Sequence, residues 1–205
     1  MDMRISKGEI FERVFINEEV NLQIDQEAGS HVKIHVINAS FSITVNQLGE
    51  GCLTEIYGLE NLHGDESVTA ETHVTHAVGG GSSNQLIKFV LDDNARGRFI
   101  GDLKIAPDAQ HTEAHQTNRN LLLSDNAEMR TQPQLEIYAD DVQATHGAST
   151  GQLDESALFY MQQRGIDKQK ARQLLVNAFM KEIIETISDD RLREQLLHAI
   201  DGVVE

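Results

Sequence analysis

From Phe11 to about His146 the chain is written almost entirely in short runs of period two, each closed by Gly, Asn, Asp or Ser. Val32-Lys33-Ile34-His35-Val36 and Phe41-Ser42-Ile43-Thr44-Val45 place every second side chain on an apolar face, as half-buried strands require. The same pattern predicts strands over 53–59, 67–77, 85–91, 98–105, 120–123 and 134–138. Turn residues recur between them, at Glu27-Ala28-Gly29, Gly49-Glu50-Gly51, 61–65, 79–84, Asp92-Asp93-Asn94 and Ser124-Asp125-Asn126. Period two says strand, but it does not say which strand pairs with which. A sandwich and a solenoid both satisfy it. Loose self-similarity is of the kind that coils of a β-helix show: Asn94-Ala95-Arg96, Pro107-Asp108-Ala109, Asn126-Ala127-Glu128 and Asp141-Val142-Gln143-Ala144 each set a polar or Ala residue before an inward-pointing partner. From spacing alone both architectures stay open.

Near residue 150 the period becomes helical. Asp154 predicts an N-cap for a helix through Gln163, with Leu158 and Met161 on one face and Gly165 just past its end. Asp167 predicts the start of a longer helix with the stripe Ala171, Leu174, Leu175, Ala178, Phe179, Ile183 and Ile187. Ser188 is expected to cap a third, bearing Leu192, Leu196, Ala199 and Ile200. The expected division is a β domain over 1–150 and a helical domain over 151–205. Three short amphipathic helices cannot bury all their apolar surface among themselves, so one side should dock on the β part and another on a partner.

Composition narrows the function. The 205 residues contain 17 Lys+Arg against 33 Asp+Glu, for a formal charge of −16. Residues 1–150 hold 10 basic and 23 acidic groups, so most of the excess, −13, lies there. Binding to nucleic acid draws on Lys and Arg at phosphates, which this balance opposes. No apolar run approaches the roughly 20 residues of a membrane span. The opening MDMRISKGEIFERVF does not read as a signal peptide. The single cysteine, Cys52, has no partner for an intrachain disulfide. A reducing, cytoplasmic setting is expected.

Motifs of catalysis are sparse. Nine histidines occur, but none in a local clamp: His73 and His76 fall on opposite strand faces, and His31 and His35 share a face about 13 Å apart. No Cys-x-x-Cys, His-Glu-x-x-His or phosphate-loop motif is present. Gly79-Gly80-Gly81-Ser82-Ser83-Asn84 lacks the Lys and following helix of a phosphate cradle and reads as a flexible turn. Cys52 reads as a small buried hydrophobe rather than a nucleophile.

One segment is far more specific. Thr117-Asn118-Arg119-Asn120-Leu121-Leu122-Leu123-Ser124 is followed by Pro133-x-Leu135-Glu136-Ile137, Ala139-Asp140-Asp141-Val142, His146-Gly147-Ala148, Gly151-x-Leu153-Asp154 and Leu158-Phe159-Tyr160-x-x-x-Arg164-Gly165-Ile166. These blocks resemble the SufB/SufD family of iron–sulfur cluster assembly proteins, and its SufD branch in particular. The resemblance covers about 50 residues, with weaker likeness from Arg96 and on through Leu175.

The resemblance implies a right-handed parallel β-helix followed by a C-terminal helical domain. It implies no enzyme activity but a scaffold subunit. Such a subunit pairs through the β-helix with a SufB-like protein, or with a second copy of itself, and binds a SufC-like ATPase through its helices. ATPase docking would fall on Leu158, Phe159, Tyr160, Arg164, Ile166, Leu174, Leu175 and Phe179. His146 would be the cluster-assembly residue and a metal ligand, the alternative being a cap on the last coil. No cofactor would be held tightly by the isolated chain; an iron–sulfur cluster would form transiently at the SufB interface. Ala127 stands where SufB-type chains have a functional Cys, which favours SufD. Family members also have an N-terminal helical region, so this chain is expected to be a core fragment or a short homologue. Two other readings remain: a carbohydrate-active β-helix enzyme, opposed by the acidity of the β part, and a structural homodimeric β-helix without a site.

Overall fold

The computed structural model describes residues 1–201. Twelve strands precede three helices. The odd-numbered strands are β1 (Asp2–Ile5), β3 (Val20–Gln26), β5 (Phe41–Gln47), β7 (Ser67–His76), β9 (Arg96–Ile105) and β11 (Glu128–Ile137). The even-numbered ones are β2 (Ile10–Ile16), β4 (His31–Ile37), β6 (Leu53–Leu62), β8 (Ser82–Leu91), β10 (Thr112–Leu122) and β12 (Val142–Gly151). Each set forms its own six-stranded sheet in that order, and the ladders are parallel. Consecutive strands therefore lie in opposite sheets, and two strands make one coil. This is a parallel β-helix, and a sandwich of antiparallel strands is excluded.

The alternation explains the stacking. In the odd sheet Met3, Ile24, Val45, Val74, Leu103 and Leu135 occupy one register line pointing into the coil. Residues between them point out. Each fully buried aliphatic side chain contributes about 1.5–3 kcal/mol, and most of this line is buried in one continuous core. The turn alanines Ala95, Ala109 and Ala127 join that core.

Coil length changes along the axis. Val20 aligns with Phe41, 21 residues on, whereas Phe41 aligns with Ala70, 29 on, and Arg96 with Glu128, 32 on. Strands lengthen from seven to ten residues at the same place.

The run at 79–84 differs from the expectation of a flexible turn. Gly80 has φ +69°, and a Cβ on Gly79 or Gly81 would stand 2.5 Å from the Gln110 carbonyl oxygen or 2.1 Å from Gln47 Oε1. Close packing between coils demands glycine there, and Ser82 already begins β8.

The helices are α1 (Glu155–Gln163), α2 (Lys168–Ile184) and α3 (Asp190–Asp201). Asp154 and Asp167 accept the backbone N–H groups that cap α1 and α2, and Gly165 follows α1 at φ +84°. The third cap is displaced: Asp189 Oδ1, not Ser188, accepts from Leu192 N at 3.0 Å. The buried stripe of α2 matches the expected one only in part. Ala171, Ile183 and Ile187 are buried as expected, but Val176, Met180 and Ile184 are buried with them, while Leu174 and Ala178 are exposed. The helix is apolar on more than one face, and the sheet selects which face it covers. That cover is the outer surface of the even sheet, where Ile37, Tyr57, Leu59, Val90 and Leu121 form a second core with α2 and α3.

Candidate functional site

The β-helix is open where β11 and β12 end it, each paired on one side only. On β12 the inward-pointing positions begin well covered. Val142 and Ala144 pack on the main core. Beyond them the coil has no roof, and His146, Ala148 and Thr150 face inward yet are exposed. His146 thus projects across the open end of the solenoid, and no hydrogen bond restrains its ring among the described residues.

The coil beneath sets the platform. Register places His146 on Gln116, and Gln116 on Gln85. Gln116 Nε2 donates to Gln85 Oε1 at 3.4 Å, while Gln116 Oε1 has no partner. One step along, Asn118 and Asn120 bond to each other, and Asn120 Nδ2 donates to Ser149 O at 3.1 Å and Thr150 Oγ1 at 3.2 Å. These bonds tie the last coil to the one below. A polar interior here replaces the aliphatic lines of the first coils.

An exposed neutral imidazole is a competent ligand for iron. One ligand is not a site, however. Among the described residues no group of three or more His, Cys, Asp or Glu could hold a metal ion. Cys52 is buried in the turn before β6, with Sγ donating to Glu27 O and Gly49 O at 3.1 Å each. Ala127 presents only a buried methyl. Further ligands at His146 would have to come from another chain.

The helical residues separate into two groups. Phe159 and Tyr160 on α1 are 62% and 58% exposed, Leu174 on α2 is 37% exposed, and the Arg164 guanidinium lies 4.6 Å above the Tyr160 ring. Leu158, Ile166 and Leu175 are half-buried. Phe179 belongs instead to the second core.

Phe179 also marks a feature that sequence reasoning missed. The Lys88 ammonium, on the outer face of β8, lies 4.4 Å above the Phe179 ring, donates to Phe179 O at 2.6 Å and bonds the Glu182 carboxylate. Burial lowers the Lys88 pKa against the opposing pull of Glu182, and the Lys88 hydrogen bond lowers that of Glu182. Arg119 adds a second cation on Glu182 at 3.1 Å. The signal was a lysine between Leu86 and Val90, outward neighbours that are both apolar. Burial shapes other ionisable groups as well. His35 is lowered to about 4, by desolvation and then by Lys33, and Glu60, inside the coil, is raised to about 9 by desolvation.

Comparison with known proteins gives a consistent picture. The family described as SUF system FeS cluster assembly, SufBD core domain, matches residues 18–179. The iron-sulfur cluster assembly protein SufD of Escherichia coli is 36% identical over 189 residues, covering 91% of this chain and 44% of its own length. An iron-sulfur cluster assembly SufBD family protein of Synechocystis is 35% identical, covering 86% of this chain and 38% of the relative. One from Mycobacterium leprae is 35% identical over 78% and 43%. The chain thus spans less than half the length of these curated relatives.

Proposed function

Starting from the fact that this chain belongs to the SufBD core family of iron–sulfur cluster assembly proteins, we propose that it is the SufD-like scaffold subunit of a SufBCD-type complex. Its role is non-enzymatic. The observation that supports this reading best is the unroofed end of the β-helix, where two ten-residue edge strands and the inward-facing His146 are exposed together. An open sheet edge is a liability unless a partner covers it. A SufB-like β-helix is the cover, with a second copy of this chain as the substitute when that partner is absent. The nascent iron–sulfur cluster is cargo at that junction. His146 supplies one nitrogen ligand, and the partner supplies thiolates, since the only cysteine here is occupied in a turn.

The exposed group Phe159, Tyr160, Arg164 and Leu174, backed by Leu158, Ile166 and Leu175, is the docking face for the SufC-like ATPase. Phe159 and Tyr160 have the aromatic character that dominates interface energetics. Phe179 supports this face from behind. The lone thiol is in keeping with a cytoplasmic location, and no helix among the described residues is long and apolar enough to cross a membrane.

Co-expression with SufB-like and SufC-like proteins tests the reading. The expected result is a ternary complex isolated through a tag on this chain. Absence of both partners, from a version bearing the full reading frame, would sink it.

A further inference from the structure

The outer face of the odd sheet is uncovered and polar, and at one corner it gathers three arginines. Arg98 on β9 stands directly opposite Arg130 on β11, and Arg96, two residues from Arg98 on the same face, stands opposite Glu128. On the other flank Ser67 and Thr69 of β7 are the register partners of Arg96 and Arg98. All of these residues line one cleft of about 440 Å³.

This placement runs against the chain's own charge. Carboxylates outnumber basic groups by 33 to 17, yet neither Arg96 nor Arg98 has an ion pair among the described residues, and Arg130 has only Glu128 at 3.9 Å. Apart from Asp125, the acidic residues of the adjoining turns accept hydrogen bonds from other groups. Glu66 accepts from His63 N, Asp65 from Asn94 Nδ2, Asp93 from Gly64 N, and Asp92 from Arg172. Neighbouring strands lie about 4.8 Å apart, and like charges directly opposite each other destabilise a sheet. The fold therefore holds two guanidinium groups side by side, with Glu128 the one carboxylate lining the cleft.

We propose that this cleft binds a phosphoryl oxyanion carried by a small molecule. Three planar guanidinium forks and two hydroxyls offer more donors than the two oxygens of a carboxylate can accept. A phosphoryl group, with three acceptor oxygens, matches bidentate arginine well. The cleft has the size of a small-molecule pocket and lies on the face opposite the helices, away from both His146 and the aromatic face of α1.

Isothermal titration of the whole chain at low ionic strength, with inorganic phosphate, pyrophosphate and ADP as separate probes, tests the proposal. Saturable one-to-one binding is expected, tighter for pyrophosphate than for phosphate. Equal affinity for ADP and pyrophosphate assigns recognition to the diphosphate alone; tighter ADP assigns a contribution to the nucleoside. Arg98→Gln or Arg130→Gln should weaken binding about tenfold, the loss of one charge-assisted contact, and Glu128→Gln should tighten it. Arg98→Gln should at the same time leave the melting temperature unchanged or raised, because a like-charge neighbour is removed. Lack of saturation with all three probes, undiminished affinity in the Arg98→Gln/Arg130→Gln double variant, or stronger binding of hexaglutamate than of pyrophosphate would each overturn it.

Discussion

The His35 ring donates from Nε2 to Thr186 Oγ1 at 2.8 Å, because that hydroxyl has already given its own proton to Ile183 O at 2.7 Å. The ring is thereby held as the neutral tautomer, stacked on Tyr57 with centroids 4.8 Å apart, and its Nδ1 is buried without a partner. This contact fastens the end of α2 to the β-helix. Protonation would bury an unpaired N–H at the same spot.

Acid should therefore loosen the fold by a definable route. His35 and His76 both have folded-state pKa values near 4, His76 through burial alone. Each binds fewer protons folded than unfolded between that value and the ordinary 6.5. Their contribution is complete above about pH 6.5 and is lost as pH falls toward 4. At about 1.4 kcal/mol per unit, His35 alone should account for about 2 kcal/mol by pH 4.5. Urea unfolding at a series of pH values should show this loss, and His35→Gln should flatten the slope by that share. An unchanged slope would refute the assignment.

Glu60 has the opposite sign. Its folded-state pKa is near 9 against an ordinary 4.5, so the protonated acid is the native form at neutral pH. The stability tied to that form is full below about pH 4.5 and is lost as pH rises through 9. Glu60→Gln should stabilise the protein at pH 8 relative to the parent, by at most about 5 kcal/mol, and make little difference at pH 4.5, as read by thermal melts.

The Lys88 contact should respond asymmetrically. Lys88→Met keeps the buried stem and removes the charge, with an expected change within about 1.5 kcal/mol. Glu182→Ala leaves the buried ammonium with the Phe179 carbonyl and ring but no counter-ion. That change should cost more, about 2–3 kcal/mol, scaled down from a fully buried pair because Glu182 is half exposed. Denaturant midpoints at pH 7 give the order directly.

On the helical side, Phe159→Ala combined with Tyr160→Ala should weaken SufC-like ATPase binding about 30-fold or more, as for paired aromatic hot spots. Circular dichroism should be unchanged, because neither ring belongs to a core. Binding that survives would move the docking face elsewhere.

His146→Ala should abolish iron accumulation on the co-expressed complex. Its stability should shift by no more than about 0.5 kcal/mol, as for an exposed position. Iron measured per complex, with assembly followed by gel filtration, separates the two effects. Unaltered iron would remove His146 from the site.

What could be read in advance follows from the range of each interaction. Ile43 and Val45 announce a strand through their neighbours alone, so the strands from Val32 to Ile105 were legible. Parallel pairing joins residues 21 to 32 positions apart, and the unequal coils disguise the repeat; only the family likeness between Thr117 and Ile166 decided between solenoid and sandwich. β12 went unread as a strand because Val142-Gln143-Ala144-Thr145-His146 loses its apolar partners at the open end. In α2 the choice between Leu174 and Val176 as the buried position depends on the sheet beneath. Lys88 was hidden for a related reason, since its environment comes from α2, some ninety residues away.

One residue of the edge strand β11 decides which sheet edge at this end is continuous. Glu128 N and Tyr138 N both bond inward to β9, to Ala95 O and Ile105 O, so the amides of the odd-numbered residues between them point to the free side. Pro133 is one of these, and it has no N–H to give. A strand added along β11 would meet a gap at its middle, whereas β12 offers an unbroken row from Val142 to Gly151. A strand pairing at this end of the coil therefore has one continuous edge available, β12, and one interrupted at Pro133, so the two sheets do not present equivalent templates there.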